Sequence, residues 1–353
     1  MSAQTLPDLV RFTGDALAAR GALVEFGDGA RALAVLPSAV AESLGIAEVT
    51  RLSPVPETGG ELCALGSPLL EQLVKANRES APVAWTEVDA DAPRATQAAA
   101  LAARFVVRNG VFEVGGTQVA RHRYLLVAMA CVAEADDRQE AMLTCTLRAD
   151  DGAVPDGGIA DIDLQHLPPW LRPVSGPAEL HAPALSLLPG RFDALVRARV
   201  APFATQVERR HRRDHERIVA YFQELVADAV RQRRGRDPAA LRAKLDHFCA
   251  ERDKKLRDLI PRFTVQVRLT PACVLGVTIP TVDVAVLVRR RKAERTLTMS
   301  LPAMARGLDR VACEGCGEPA PRPALCDEQL HILCEVCVPQ AQGRIACRVC
   351  SSQ

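Results

Sequence analysis

The sequence predicts a mixed α+β protein built from several modules, on three observations. Its 353 residues exceed the roughly 100–200 that one domain usually holds. Charge is unevenly spread: residues 1–196 sum to −10, 197–310 to +13 and 311–353 to −2. Seven of the twelve cysteines fall within the last 41 residues. Five modules are expected: an α+β head over 1–150, a Pro/Gly-rich linker over 151–196, an antiparallel helical hairpin of coiled-coil type over 197–261, a small antiparallel sheet over 262–310, and a cysteine-rich module over 311–353.

Within the head, residues 22–35 read as a hairpin, because Asp28-Gly29 supplies the positive φ of a tight turn. Pro37-Ser38 opens a short helix that ends near Gly45. A second helix covers 67–79, with Ser67 as cap, Pro68 at the first position and Leu69, Leu70, Leu73 and Val74 on one face. From Phe105 the pattern turns strand-like. Segments 105–107, 111–114, 124–132 and 141–147 are separated by Asn109-Gly110, Gly115-Gly116 and the acidic turn Asp136-Asp137. Seven prolines and the paired Gly157-Gly158 between 150 and 190 read as a linker or an extended strap, not a core.

Helix returns from about Pro202 to Arg234, where Ile218, Phe222, Leu225 and Ala229 recur at a/d spacing. Gly235 breaks it, and Asp237-Pro238 caps and opens a second helix that carries Leu241, Leu245, Phe248, Leu256 and Leu259 as far as Pro261. Past Pro261 the period changes to two: Phe263, Val265, Val267 and Leu269 alternate with polar residues, and 282–288 and 296–301 repeat the habit. Pro271 and Pro280 are expected between strands.

The composition excludes several classes. With 48% hydrophobic and 25% charged residues the chain is globular rather than disordered. No apolar run approaches the ~20 residues of a membrane span, and residues 1–20 lack the apolar core of a secretory signal. A reducing, cytoplasmic setting follows as the expectation, and Cys63, Cys131, Cys145, Cys249 and Cys273 read as small buried hydrophobes. Aromatics at 4% leave little for stacking on single-stranded nucleic acid. No phosphate-binding loop, dinucleotide fingerprint or nucleophile elbow is present. His211 and His215, four apart amid five arginines, read as a solvated basic face. Asp161, Asp163 and His166 read as a polar loop cluster.

The remaining cysteines run Cys313-x2-Cys316-x9-Cys326-x4-His331-x2-Cys334-x2-Cys337-x9-Cys347-x2-Cys350. Four ligand pairs make two closed tetrahedral sites, since a C-x2-C turn offers two thiolates from one loop. Two Zn2+ per chain are expected as structural cofactors. A zinc ribbon of C-x2-C-x17-C-x2-C would use Cys313, Cys316, Cys334 and Cys337 together.

This spacing resembles the RING finger family. The resemblance implies a cross-brace, with Cys313, Cys316, Cys334 and Cys337 on one ion and Cys326, His331, Cys347 and Cys350 on the other. RING ubiquitin ligases usually carry an aliphatic residue inside the first pair, and this chain has Glu314-Gly315 there. Residues 338–346 lack the Trp such ligases often have, and Arg348 stands where they often have Pro. The stretch Leu65 to Leu73, with the later Asp136-Asp137-Arg138-Gln139-Glu140, is similar to the region after the motor in RapA-type bacterial Swi/Snf ATPases. That similarity implies an accessory protein beside such a motor.

The functional expectation is a non-enzymatic zinc-binding adaptor, partnered by a protein such as a RapA-type ATPase and working with a helicase- or transcription-type machine on nucleic acid. One alternative is a RING-type ligase in a bacterial ubiquitin-like conjugation pathway. Another is sequence-independent binding of duplex DNA through residues 209–236 and Arg289-Arg290-Arg291-Lys292.

Overall fold

Asp8 accepts a hydrogen bond from the Arg11 amide at 2.9 Å and so starts the first helix, α1 (Leu9–Ala18). The structure, a computed structural model, describes residues 8–27, 30–79, 82–162, 167–176, 182–232, 237–338 and 347–351. The chain divides into two compact units, Met1–Pro82 and Val83–Gln353.

The first unit is a four-stranded sheet with helices on one face. Strands β1 (Leu23–Gly27) and β2 (Arg31–Val35) form the expected hairpin, whose turn at Asp28-Gly29 lies outside the described residues. Helix α2 (Ser38–Leu44) ends at Gly45, which adopts a left-handed φ of 63° open to glycine at no steric cost. Strands β3 (Val49–Ser53) and β4 (Gly60–Leu62) complete the sheet, and α3 (Pro68–Glu79) follows. Ala32, Ala34 and Leu52 turn inward onto Val10, Leu17, Leu69 and Leu73 of the helices. Ser67 precedes α3, but its buried Oγ has no partner among the described residues, so its side chain is not the cap.

The second unit centres on one long mixed sheet. Its elements are β5 (Val83–Val88), α4 (Ala95–Ala102), β6 (Val111–Glu134), β7 (Arg138–Arg148), β8 (Val154–Asp156), β9 (Leu171–Pro173), α5 (Leu188–Arg231), α6 (Pro238–Phe263), β10 (Gln266–Arg290), β11 (Ala293–Pro302), β12 (Gly307–Arg310), β13 (Ala324–Leu325), β14 (Ile332–Leu333) and α7 (Arg348–Ser351). The sheet order is β7-β6-β10-β5-β9, with β11 also on β10. Only β5 runs parallel to β10.

The boundaries expected at 150 and 262 are not divisions of the structure. Strand β10 pairs with β6 from Gln266↔Glu134 to Arg289↔Val111, so the presumed separate sheet over 262–310 belongs to the head's strands. The segments 111–114 and 124–132 are one strand, crossing Gly115-Gly116 at a register shift. Phe105–Val107 is not a strand; Phe105 and Val107 are apolar because they enter the core beside the cysteine module. Pro271 and Pro280 lie inside β10, where the ladder tolerates a missing N–H. Pro271 sits at a register shift, and Pro280 falls between the β5 partners, which end at Thr278, and the β11 partners, which begin at Thr281.

The strap is extended only in part, with single helical turns at Gly158–Asp161 and Pro183–Leu187, and it is pinned to the sheet. Ile159 and Leu171 are buried with Tyr124, Leu126, Leu275, Val277 and Ile279, covering that face of the sheet. Asp163, His166 and Pro177 lie outside the described residues. Helix starts at Leu188, well before Pro202, which sits exposed inside α5 where water can satisfy the carbonyl it strands. Asp237 caps α6 through the Ala239 amide, as expected, whereas Gly235 lies outside the described residues. Pro261 falls inside the last turn of α6 rather than ending it.

Helices α5 and α6 pack side by side and antiparallel. Asp214 reaches Arg262 at 3.9 Å, and about two turns further along α5, Phe222 shares a groove with Phe248. A coiled-coil seam is not formed. Ile218, Leu225, Leu241, Leu245 and Phe248 are only half-buried, because two helices alone can cover just one strip of each other. Burial is deepest where the pair meets the sheet: Phe192, Val200, Phe203, Val207, Leu259 and Phe263 close over Leu125, Val127, Cys131 and Leu147. Among the described residues no helix is long and apolar enough to cross a membrane.

Candidate metal centre

The cysteine module is assembled from two knuckles, one small hairpin and one helical turn. The first knuckle, Cys313 to Gly317, closes with Gly317 N donating to the Cys313 carbonyl at 2.7 Å. Gly317 has φ 78°, and a Cβ there would also press on the Leu187 carbonyl, so glycine is required twice over. Strands β13 and β14 pair Leu325 with Ile332, which brings Cys326 and His331 to one end of the hairpin. The second knuckle closes with Cys337 N on the Cys334 carbonyl at 3.1 Å. Cys347 precedes α7, which carries Cys350; residues 339–346 lie outside the described residues.

These elements gather the eight residues into two clusters. One holds Cys313, Cys316, Cys334 and Cys337; the other holds Cys326, His331, Cys347 and Cys350. In each, the four donor atoms lie within 4.8 Å of one another. The division is the interleaved one, with alternate pairs sharing a site. Sγ of Cys316 is 3.6 Å from Sγ of Cys334, and Cys347 Sγ is 3.4 Å from Cys350 Sγ. His331 Nδ1 lies 3.6, 3.3 and 3.3 Å from the sulfurs of Cys326, Cys347 and Cys350. A tetrahedron with metal–sulfur bonds of about 2.3 Å has S···S edges of about 3.8 Å, so the spacing suits an ion and is far too wide for a disulfide.

Electrostatics point the same way. Burial pushes the Cys337 thiol up to about 11 and the Cys350 thiol up to about 12, and raises Cys316 as well. Burial also opposes ionisation of Cys326 and Cys334, but backbone N–H groups outweigh it and hold both below the ordinary thiol value. Four thiolates in one cluster, and three beside an imidazole in the other, therefore need a cation among them. Each cluster could hold one metal ion.

The module is not a free tail. Cys313, Cys326 and Cys347 are buried in one core with Val282, Val284, Val286 and Val288 of β10 and Leu297, Met299 and Leu301 of β11. Its rim is tied by polar contacts. Asn109 Nδ2 donates to the Leu325 carbonyl at 2.9 Å while its Oδ1 accepts from Leu325 N at 2.8 Å. Arg295 forks onto Glu314 at 2.8 and 3.2 Å, and Glu314 also accepts from Ile332 N. Arg290 and Arg291 both reach the buried Asp327. Arg191, buried to 3% exposure, donates from Nε to the Gly317 carbonyl at 2.6 Å and also bonds the Gly152 carbonyl.

Sequence reasoning missed a second polar centre, buried between strands. Tyr124 donates to Asp309 at 2.6 Å, and Arg148 joins Asp309, Asp151 and Ser300. Ser300 donates to Asp283 at 2.6 Å, and His122 Nε2 meets Asp283 at 2.9 Å. The carboxylate, not the imidazole, stands between hydroxyl and ring, so His122 is not placed to take a proton from Ser300. These residues are far apart in sequence and single within their strands, which left no pattern to read.

The other candidates do not assemble. His211 packs on the Phe263 ring at 5.4 Å, and no third ligand joins it and His215 among the described residues. Asp161 pairs with Arg306 at 3.6 Å. Cys63 and Cys131 are buried as expected, Cys145 and Cys273 are half-buried, and Cys249 is exposed on α6. In the basic cluster, Arg289 is engaged by Glu113 and Glu294.

No family model, curated protein or solved structure matches the chain.

Proposed function

We propose that this chain is a non-enzymatic, zinc-binding adaptor that works beside a helicase- or transcription-type machine on nucleic acid. The reading rests on one observation above the rest: both ligand sets are complete with four protein donors and built into the hydrophobic core. A catalytic zinc keeps a position open for water or substrate, whereas a structural one is closed by four ligands. Sulfur-rich sets of four and of three with one imidazole favour Zn2+ over harder cations. Cys313, Cys316, Cys334 and Cys337 would hold one ion, and Cys326, His331, Cys347 and Cys350 the other.

The resemblance to RapA-type ATPases makes such a motor the proposed protein partner. Nucleic-acid contact is supported by α5 and α6, where Arg209, Arg213, Lys254, Lys255 and Arg257 are exposed and carry no ion pair among the described residues. The Arg289-Arg290-Arg291 run supports it less, since those side chains are spent on Glu113, Glu294 and Asp327. The interleaved ligand order favours a RING-type ligase as a second reading. Against it, Glu314 inside the first pair is held by Arg295 and Ile332 N rather than offered as an apolar contact.

Metal analysis of protein prepared without chelator tests the core of the proposal: two zinc ions per chain are expected, and less than one overturns it. Binding to duplex DNA across a salt series tests the rest. Exchanging Arg209, Arg213, Lys254 and Lys255 for Ser should flatten the log–log slope by about 0.9 per lost phosphate contact.

A further inference from the structure

Among the described residues of the first unit, nothing covers the outer face of the N-terminal sheet. Helices α1, α2 and α3 occupy the other face, and the pleat turns Leu23, Val35 and Val49 away from them. These three are neighbours in one row, because Leu23 pairs with Val35 and Val35 with Val49. They are 76%, 43% and 60% exposed. The next outward row is Glu25, Leu33 and Arg51, with Leu33 40% exposed. Gly60 continues it beside Arg51 and adds no side chain. Neither Glu25 nor Arg51 has an ion pair among the described residues. Contiguous apolar patches on soluble proteins generally mark an interaction site.

The charges identify the occupant. A face shaped for an acidic or a basic partner would carry one sign. Here a carboxylate on β1 and a guanidinium on β3 stand at opposite ends of one row, with Leu33 of β2 between them. We propose that this face is the interface of a homodimer, in which a second copy stacks sheet on sheet about a two-fold axis running along β2.

That axis preserves strand direction and reverses strand order, so β1 of one copy lies over β3 of the other. Leu33 and Val35 meet their own counterparts, Leu23 meets Val49 of the second copy, and Glu25 meets Arg51 twice. Facing sheets pack about 10 Å apart with strands within about 30° of parallel, a spacing that interdigitating side chains fill. The absent side chain at Gly60 leaves room for the Glu25 carboxylate. Arg31, near the axis, would face its own copy, but Glu57 neutralises it at 2.5 Å. Such an interface is isologous, the same patch serving both subunits. It does not depend on the metal reading.

Sedimentation velocity of the full chain over a concentration series tests this. The unaltered protein should be a dimer. Glu25→Arg and Arg51→Glu, each placing like charges together, should each raise the dissociation constant at least tenfold. The double exchange E25R/R51E should restore it, which a general loss of fold would not. Val49→Asp should dissociate the dimer while its circular dichroism stays unchanged. A monomer at every concentration overturns the proposal, and so does a dimer indifferent to both single exchanges. A monomer whose Leu23, Val35 and Val49 amides exchange slowly would assign the face to another occupant and equally overturn it.

Discussion

Arg191 Nε lies 2.6 Å from the carbonyl oxygen of Gly317, one residue past Cys316 of the first candidate metal cluster. The guanidinium also reaches Gly152 and the Cys145 sulfur, so one side chain near the start of α5 joins the strap, the sheet and the first knuckle. A tetrathiolate zinc centre would carry a net charge of −2, which makes it the natural counter-ion for this buried cation. Arg191→Met should cost roughly 2–4 kcal/mol in urea unfolding, reflecting lost charge-assisted hydrogen bonds and carbonyls left unpaired. It should also speed release of one zinc ion of the two to a chromogenic chelator. Equal loss of both ions would contradict the placement.

Asn109 acts as a one-residue strand for Leu325, donating to its carbonyl and accepting from its amide. Asn109→Ala leaves both backbone groups unpaired and should destabilise the second unit by about 1–3 kcal/mol. Asn109→Asp keeps the acceptor and should recover part of that in thermal melts.

Metal removal should be felt beyond the module. Because Cys313, Cys326 and Cys347 share a core with Leu297, Met299 and Leu301, chelation should raise amide exchange along β11 and the 281–290 half of β10, while β1–β3 are unchanged. Structural zinc contributes roughly 10–16 kcal/mol apparent in finger peptides, far more than a sheet edge can replace. Unaltered exchange in β11 would mean that the module folds apart from the sheet.

Stability should fall as pH rises through neutrality. The hydrogen bond to Asp283 holds the His122 pKa above its ordinary value, against burial and Arg148, with Asp150 at 3.5 Å adding to the pull. A group whose folded pKa is raised stabilises fully below its unfolded value of about 6.5 and loses that as pH passes its folded value. Burial lifts Asp309 to about 7, opposed by Arg148, which Asp151 already engages. Its contribution is complete below about 3.8 and is lost between there and about 7. Asp283 is held low despite its burial, by His122 and Ser300, and so loses its contribution only in acid. His122→Gln should flatten the fall in melting temperature above pH 6.5, and Asp309→Asn the fall between pH 4 and 7.

Gly276 lies on β10 opposite Leu125, where the Trp85 ring occupies the space a Cβ would need. Gly276→Ala should cost about 1–3 kcal/mol by overpacking. The near-ultraviolet signal of Trp85 should change with it; an unchanged signal would remove the ring from this position.

The two candidate ligand clusters are legible because their chemistry is local: a C-x2-C turn presets two donors, and eight such residues in 38 positions have few ways to close. The interleaving came only through resemblance. Hairpin 22–35 and the short helix before Gly45 were legible for the same local reason. The join of β6 to β10 was not, since alternation in 262–301 states which face is buried but not which strand lies alongside. Residues 188–196 fall within the expected strap because the prolines before them outweigh an apolar spacing that only the sheet beneath makes decisive. The module's docking was hidden too, as Leu325, Leu330, Ile332 and Leu333 look like any small core until Val282–Val288 are seen beneath them.

Strand β10 has a consequence for how the chain is made. It is the central strand, yet β6, its partner along nearly its whole length, ends at Glu134, some 130 residues before β10 begins at Gln266. At about 5–20 residues per second, β6 and β7 emerge from the ribosome roughly 7–26 seconds before the strand that closes them. Residues 8–79 contain every partner of their own sheet and can settle first. The second unit must wait with a long open edge, so holding factors and translation rate should govern its yield more than the stability of its finished fold.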